Sequence, residues 1–132
     1  MTREQNRAAM AFKDVSNVPE EMKKRFATVV YQFIILVRTA GILQALEFIE
    51  GLSNKDKQEA GHKLLDYLGK QMKRVNKNIK DKDTLRKFAR TADLHKYMLL
   101  TREVMSTMIW YRRFVQSVLK IDIASAMQND DN

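Results

Sequence analysis

The chain has 132 residues, a formal net charge of +8 at pH 7 and no cysteine. This length suits one domain with its own hydrophobic core, and the absence of cysteine excludes disulfides, thiolate metal ligands and thiol nucleophiles. The N-terminus carries no apolar run, and the most apolar stretch, residues 26–37, is far shorter than the roughly 20 residues that span a bilayer. We therefore expect a single domain over residues 1–132 that is soluble, unsecreted and cytoplasmic.

The first two predicted helices are marked by their N-terminal residues. Thr2 and Gln5 form a capping signature, which predicts a helix over residues 3–16. Its apolar stripe is narrow, which suggests a peripheral helix, and consists of Ala9, Phe12 and Val15. Pro19, the only proline, suits the first position of a second helix.

The second helix is the most apolar part of the chain. Residues 26–37 are apolar nearly all round, which is typical of a buried helix. The apolar pattern continues to Ile49 across Gly41, which we expect to mark a kink or a close contact. Gly51 is predicted to end this helix.

A third helix is predicted to begin at Ser53, which forms a capping box with Asp56. Its apolar face comprises Leu64, Leu65, Leu68, Met72, Val75 and Ile79. The opposite face carries four cations at helical spacing, namely Lys70, Lys73, Arg74 and Lys77. Residues 80–83 predict a loop, and Asp83 is expected to cap a short fourth helix. The inner side of that helix consists of Leu85, Phe88 and Ala89.

One long helix is predicted over residues 93–120, because this segment contains neither glycine nor proline and begins with Asp93, a capping residue. Its predicted core face comprises Leu94, Tyr97, Met98, Thr101, Val104, Met105, Met108, Val115 and Leu119. Further apolar residues fall roughly opposite, namely Leu99, Trp110, Phe114 and Ile121. The helix must therefore lie centrally in a bundle or present a second surface to a partner.

Together these elements predict an all-α fold, since no strand-like alternation or hairpin signal is present. We expect a single compact helical bundle of five or six helices. Residues 25–49 should pack on residues 93–120, because both segments are apolar over most of their circumference. The polar tail, residues 124–132, is expected to be frayed.

Positive charge is concentrated between Gly69 and Arg90, where nine basic residues stand against Asp81 and Asp83. Such a segregated field attracts polyanions, of which nucleic acid is the commonest. An anionic membrane surface and a merely solubilising face are the alternatives. The residues predicted to bind nucleic acid are Lys70, Lys73, Arg74, Lys77, Arg86, Lys87 and Arg90.

The sequence contains no recognisable catalytic or metal-binding constellation. His62 and His95 each lack a second ligand at metal-binding spacing. The carboxylates have no acid–base partner nearby in sequence, and the four glycines are isolated rather than grouped in a phosphate-binding loop. We therefore predict that the protein is not an enzyme and needs no metal or cofactor.

Trp110 and Phe114 form an aromatic pair one helical turn apart, beside Arg112 and Arg113. Tryptophan and arginine are enriched where protein surfaces bind each other. We therefore predict that Trp110, Arg113 and Phe114 belong to a subunit interface. The alternative is that the aromatic pair packs in the core, against the first helix or residues 42–49.

Two stretches carry a resemblance to a known family. The first is RTAGILQALEFIEG, residues 38–51. The second comprises Tyr97, Thr101, Glu103 and the segment IWYRRF. In order and spacing these residues resemble the small subunit of type III-B CRISPR effector complexes, the Cmr small-subunit family, and the resemblance spans most of the chain.

The resemblance implies an all-helical, non-catalytic subunit that stacks in several copies and lines the groove where guide RNA pairs with target RNA. Its implied partners are guide RNA and target RNA, other copies of itself, and the backbone and large subunits of the complex, without a membrane. The related III-A small subunit is similar in size and role, so the subtype stays open. Two other functions stay open: a stand-alone helical protein that binds nucleic acid without sequence specificity, and a structural adaptor with no nucleic-acid role.

Overall fold

Seven α-helices dominate the computed structural model, which describes residues 1–128. They are α1 (Arg3–Ser16), α2 (Lys23–Ala40), α3 (Ile42–Glu50), α4 (Lys55–Gln71), α5 (Lys82–Thr91), α6 (Leu94–Ser117) and α7 (Ile123–Met127). Short 3-10 turns lie before α2 (Glu20–Met22) and after α4 (Met72–Arg74). Because these residues contain no strand, the all-α prediction is confirmed. The helix count exceeds the predicted five or six, because the second predicted helix is split and a short helix follows α6.

Gly41 separates α2 from α3. Its φ of 91° and ψ of 164° lie in a region that glycine alone adopts readily. The N–H of Leu43 donates a hydrogen bond to the hydroxyl of Tyr97 at 3.1 Å, and a Cβ built on Gly41 would lie 3.4 Å from that hydroxyl. Glycine therefore allows the chain to turn where α3 meets α6.

α6 packs against both α1 and α2, so each of its two apolar sides has residues in contact with another helix. On one side Phe114 meets Phe12 of α1, with ring centroids 5.4 Å apart. On the other side Met105 and Ile109 line a groove with Ile34 of α2. The predicted packing of residues 25–49 on residues 93–120 is confirmed for α2, whereas α3 packs mainly on α2, α4 and α5.

The buried face of α6 differs from the predicted core face. Leu94 and Met98 are 74% and 56% exposed, whereas Glu103 and Tyr111 are 7% and 0% exposed. At 100° per residue, the observed buried face is rotated about the helix axis by roughly 80° from the predicted core face, toward α1. This rotation places Glu103 in the core. The buried carboxylate is tolerated because it forms an ion pair with Arg7 of α1 inside the bundle.

α1 is an integral part of the core and not a peripheral helix. It packs along α6. Its buried residues are Arg7, Ala11 and Val15. Ala9 and Phe12 of the predicted stripe are exposed. The predicted stripe was right at Val15 and wrong at Ala9 and Phe12, because α1 contributes a buried arginine, which apolar periodicity does not detect.

Two helices begin at a different capping residue from the predicted one. α4 is capped by Asn54 rather than Ser53, and the Asn54 side chain accepts two backbone hydrogen bonds, at 3.0 and 3.1 Å. α5 is capped by Asp81 rather than Asp83, and Asp81 forms a capping box with Thr84. In both places two neighbouring residues suit the cap, and the path of the chain selects between them.

α4 ends at Gln71, well before the end of the predicted third helix. The chain then folds back, so that Ile79 is buried from a loop rather than from a helix. A Cβ on Gly69 would lie 2.4 Å from the backbone oxygen of Asp81, so the glycine lets the returning loop touch α4. The early end of α4 also places Lys77 off the helix.

The C-terminal segment is more ordered than expected. Asp122 caps α7, Ala126 is 1% exposed, and the hydroxyl of Thr28 donates a hydrogen bond to the Ala126 carbonyl at 2.7 Å. This corrects the expected fraying for residues 124–127, because packing on α2 holds α7 in place. Residues 129–132 of the same predicted tail lie outside the described residues.

Candidate nucleic-acid interface

The residues predicted to bind nucleic acid do not form a single helical stripe. Lys70 lies in the last turn of α4, Lys73 and Arg74 belong to the 3-10 turn, and Lys77 lies in the following loop. The other three are on α5, namely Arg86, Lys87 and Arg90. The fold therefore decides which of these cations share a surface.

Lys70, Lys73 and Arg74 line a groove of about 730 Å³ between α1 and the end of α4, here called the α1–α4 groove. Its remaining lining residues are Met1, Arg3, Asn6, Ala9, Met10 and Gln71. No acidic residue is among them in the described part of the chain. Four cationic side chains thus line one concave surface, and one of them, Arg3, was not predicted.

Arg74 is held more firmly than the neighbouring lysines. Its Nη2 donates a hydrogen bond to Oε1 of Gln71, a side chain that is 1% exposed. Burial lowers the pKa of Arg74, the nearby Arg7 lowers this pKa further, and Glu103 opposes the shift. Three nearby lysines are exposed and form no hydrogen bond or ion pair within residues 1–128, namely Lys70, Lys73 and Lys77.

Arg86 is engaged within the protein. It donates two hydrogen bonds to the carboxylate of Glu47 on α3, at 2.7 and 2.9 Å, and lies within 3.3 Å of Asp83. These hydrogen bonds raise the pKa of Arg86 and lower that of Glu47. The positive charge of Arg86 is therefore largely offset before any ligand arrives.

Lys87 and Arg90 are exposed on α5. Lys87 lines a cavity of about 320 Å³ together with Asn76 and Asn78. This cavity is separate from the α1–α4 groove, and neither Lys77 nor Arg90 lines either of the two. The seven predicted cations are thus divided between the groove, the loop after it and the surface of α5.

Trp110 and Phe114 pack partly against α1. Their rings stack with centroids 5.9 Å apart, and the indole N–H of Trp110 donates a hydrogen bond to the carboxylate of Glu4. Arg113 is exposed, with its guanidinium carbon 5.1 Å from the centre of the Trp110 ring. Phe12 completes the cluster and is 50% exposed. The cluster combines helix packing with an exposed aromatic and cationic surface, and its predicted role at a subunit interface stays a prediction.

A second groove, of about 350 Å³, lies between α2 and α6. It brings Arg38 of α2 beside Arg112 and Arg113 of α6. Sequence reasoning did not associate Arg38 with this pair, because the residues are more than 70 positions apart in the chain. The adjacent arginines at the end of α6 were the only local signal.

The described residues contain no group of three His, Cys, Asp or Glu side chains that could hold a metal ion. Also within residues 1–128, no helix has the length and apolar composition needed to cross a bilayer.

Comparison with known proteins gives the class to which the chain belongs. A family model described as "CRISPR-associated protein (Cas_Cmr5)" matches residues 3–118, so the protein is CRISPR-associated. More particularly, the chain belongs to the Cmr5 family, and its identification as a Cmr small-subunit protein of type III-B is confirmed.

Two comparisons agree with this assignment. The chain is 30% identical over 120 residues to "CRISPR system Cmr subunit Cmr5" of Thermus thermophilus, and the match covers 90% of this chain and 97% of that protein. The crystal structure of a CRISPR-associated Cmr5 family protein from Thermus thermophilus matches with a TM-score of 0.76 and 30% identity. That match covers 89% of this chain and 97% of the solved chain.

Proposed function

We propose that the chain is a non-catalytic small subunit of a type III-B CRISPR effector complex. In this proposal several copies stack along the complex, and each contacts the guide and target RNA. The Thermus thermophilus relative is named as a subunit of the Cmr system, and its length is matched almost completely, which favours the same role for this chain.

The α1–α4 groove is the observation that favours RNA contact. Four cations line it without an acidic residue in the described part of the chain, so the potential there is positive and attracts phosphate. Lysine and arginine contacts to phosphates do not distinguish bases, so we expect binding independent of RNA sequence. One copy should bind weakly, and several tethered copies should bind strongly together, because each further contact is intramolecular.

Co-purification tests this proposal. The full chain is co-expressed with the other subunits of its complex and a guide RNA, one of the other subunits carries the affinity tag, and native mass spectrometry counts the copies. We expect the chain to elute with the guide RNA in more than one copy. A complex that elutes complete without this chain would contradict the proposed role, and co-elution in a single copy would contradict stacking.

A further inference from the structure

A chain of hydrogen bonds through two buried side chains, Gln71 and Tyr111, connects α1 to the α1–α4 groove. The hydroxyl of Tyr111 donates to the carboxylate of Asp14 at 2.7 Å, and Nε2 of Gln71 donates to the Tyr111 hydroxyl at 3.2 Å. The Gln71 carbonyl oxygen in turn accepts from Nη2 of Arg74. Gln71 and Tyr111 are 1% and 0% exposed. The guanidinium of Arg74 is therefore fixed from the interior of the protein, whereas a surface arginine is normally free to rotate.

The guanidinium of Arg74 has donors that the chain of hydrogen bonds does not use. Its Nη1 is buried and has no hydrogen-bond partner within residues 1–128. A buried charged donor without an acceptor is unfavourable. Arg3 and Arg7 add positive charge nearby, which is opposed by the buried carboxylate of Glu103 and the exposed carboxylate of Glu4. An anion bound on the groove side of the guanidinium would supply a compensating charge.

We propose that Arg74 is a pre-positioned receptor for a single phosphate group, and that Gln71, Tyr111 and Asp14 are positioning residues that hold it in place. This inference rests on the proposed function in that the ligand is a backbone phosphate of RNA. A planar guanidinium binds two phosphate oxygens with a fixed geometry, whereas lysine acts as a flexible point charge. Lys70 and Lys73 therefore contribute field strength, and Arg74 fixes the phosphate at one point of the groove.

The first experiment exchanges charge-conserving residues in the full chain. Binding of a fluorescein-labelled single-stranded RNA is measured at low salt for Arg74→Lys and for the matched control Lys73→Arg. Arg74→Lys keeps the charge but loses the planar guanidinium with its paired donors. We therefore expect RNA affinity to fall about tenfold, the loss expected for charge-assisted hydrogen bonds. Lys73→Arg should change the affinity less than about twofold, because an exposed lysine contributes mainly its charge.

The second experiment tests positioning without changing any charge. Tyr111→Phe keeps the ring and removes the hydroxyl, so the hydrogen-bond chain is interrupted while the fold is retained. In ¹⁵N-labelled protein we expect resolved Arg74 side-chain signals in the unaltered chain and broadened ones in Tyr111→Phe, together with weaker RNA binding. If Tyr111→Phe melts at a much lower temperature, Asp14→Asn serves as a second variant, because Asp14 is only partly buried and accepts the Tyr111 hydroxyl. This variant removes one negative charge, which by itself would strengthen RNA binding, so weaker binding would still report the loss of positioning. Unchanged Arg74 signals in the folded variant would overturn the positioning role.

The outcomes separate this inference from the proposed function. If Arg74→Lys binds RNA as tightly as the unaltered chain, Arg74 is one charge among several, and the inference fails while RNA contact stands. If the unaltered chain binds no RNA, alone or in its complex, the proposed RNA contact fails. Titration with inorganic phosphate then decides the inference, because a saturable shift of the Arg74 signals, absent in Tyr111→Phe, supports an anion site, and no shift overturns it.

Discussion

Arg86 of α5 and Glu47 of α3 form a bidentate ion pair, with the guanidinium Nε and Nη2 at 2.7 and 2.9 Å from the two carboxylate oxygens. The residues are separated by 39 positions in the chain. The pair links α5 to α3. It engages Arg86, which was predicted from the sequence to bind nucleic acid, in a contact within the protein. It also makes stability depend on pH.

The Glu47 carboxylate should make the protein less stable in acid. Its pKa in the folded state is below the ordinary value of 4.5 because Arg86 donates hydrogen bonds to it. The unfolded chain therefore binds this proton more tightly, and the stabilisation present above pH 4.5 is lost as the pH falls through the folded pKa. Because the Glu47 side chain is 42% exposed, solvent screening should limit the effect to less than about 1 kcal/mol.

Urea unfolding at a series of pH values measures this effect. We expect Glu47→Gln to be less stable at neutral pH and to lose less stability on acidification. Glu59→Gln is the matched control, since Glu59 is an exposed carboxylate on α4 outside this ion pair. Equal acid sensitivity in Glu47→Gln and the unaltered chain would contradict the prediction.

The lysines of the groove and the following loop should determine the salt dependence of RNA binding. Each phosphate contact on a single strand contributes about 0.7 to the slope of log affinity against log salt. Replacing Lys70, Lys73 and Lys77 with alanine should therefore reduce the slope by about 2 if each contacts one phosphate. The loss of affinity should be the same for RNAs of unrelated sequence, because phosphate contacts do not read bases.

A matched triple variant controls for total charge. It removes three exposed lysines from other parts of the surface, namely Lys24, Lys55 and Lys96. Fluorescence anisotropy between about 50 and about 200 mM salt gives both slopes. A reduced slope in the control alone would place the RNA on another surface, and unchanged slopes in both variants would favour the adaptor function.

Arg113 should join neighbouring copies or a large subunit, because it is exposed beside the Trp110 ring. Arg113→Ala should lower the number of copies in the assembled complex, measured by native mass spectrometry, without changing the melting temperature of the isolated chain. Arg102→Ala, another exposed arginine of α6, should change neither quantity. A full copy number with Arg113→Ala would rule out the interface role.

Trp110 should contribute to both packing and assembly, since it contacts Glu4 and Phe114 inside the protein. Trp110→Ala should therefore lower the melting temperature by several degrees, as loss of a half-buried aromatic does. If the copy number per complex stays complete while the melting temperature falls, Trp110 acts only in packing α1 on α6. A double variant with Phe12→Ala should then add little, because both side chains contact Phe114.

Gly41→Ala should destabilise the fold by about 1 to 3 kcal/mol, because its φ of 91° is unfavourable for any residue with a Cβ. Gly51→Ala is the control, because its φ of −92° is open to alanine. A Cβ there would lie 3.3 Å from the Glu47 carbonyl oxygen, so this control carries a small packing cost but no cost in backbone conformation. Thermal unfolding followed by circular dichroism compares the two. A smaller loss for Gly41→Ala than for Gly51→Ala would show that the backbone at Gly41 carries no special constraint.

The local sequence was sufficient for the fold class and for most helix positions. The cap at Asp93 and the capping box of Thr2 and Gln5 are found where they were predicted, because capping is decided by residues within one turn. The break at Gly41 was likewise marked by glycine itself. Caps were misplaced where two candidate residues lie close together, as at Ser53 and Asn54. The start of the second helix was also misplaced, because Pro19 precedes the 3-10 turn Glu20–Met22 and α2 begins only at Lys23.

The composition of the candidate site could be predicted only in part. Lys70, Lys73 and Arg74 are close in the chain, so their shared surface follows from local structure. Arg3 could not be added, since the contact of α1 with the end of α4 joins residues about 70 positions apart. Nor could Arg86 be removed from the prediction, because its partner Glu47 lies on another helix.

The sequence by itself determined that the chain forms amphipathic helices, where most of them begin, and that positive charge is concentrated between residues 69 and 90. The tertiary structure alone decided which side of α6 is buried and which cations remain available to a ligand. The physical reason is that propensity, capping and periodicity act over one or two turns. A buried ion pair such as that of Arg7 with Glu103 depends instead on groups that meet only after the chain has folded.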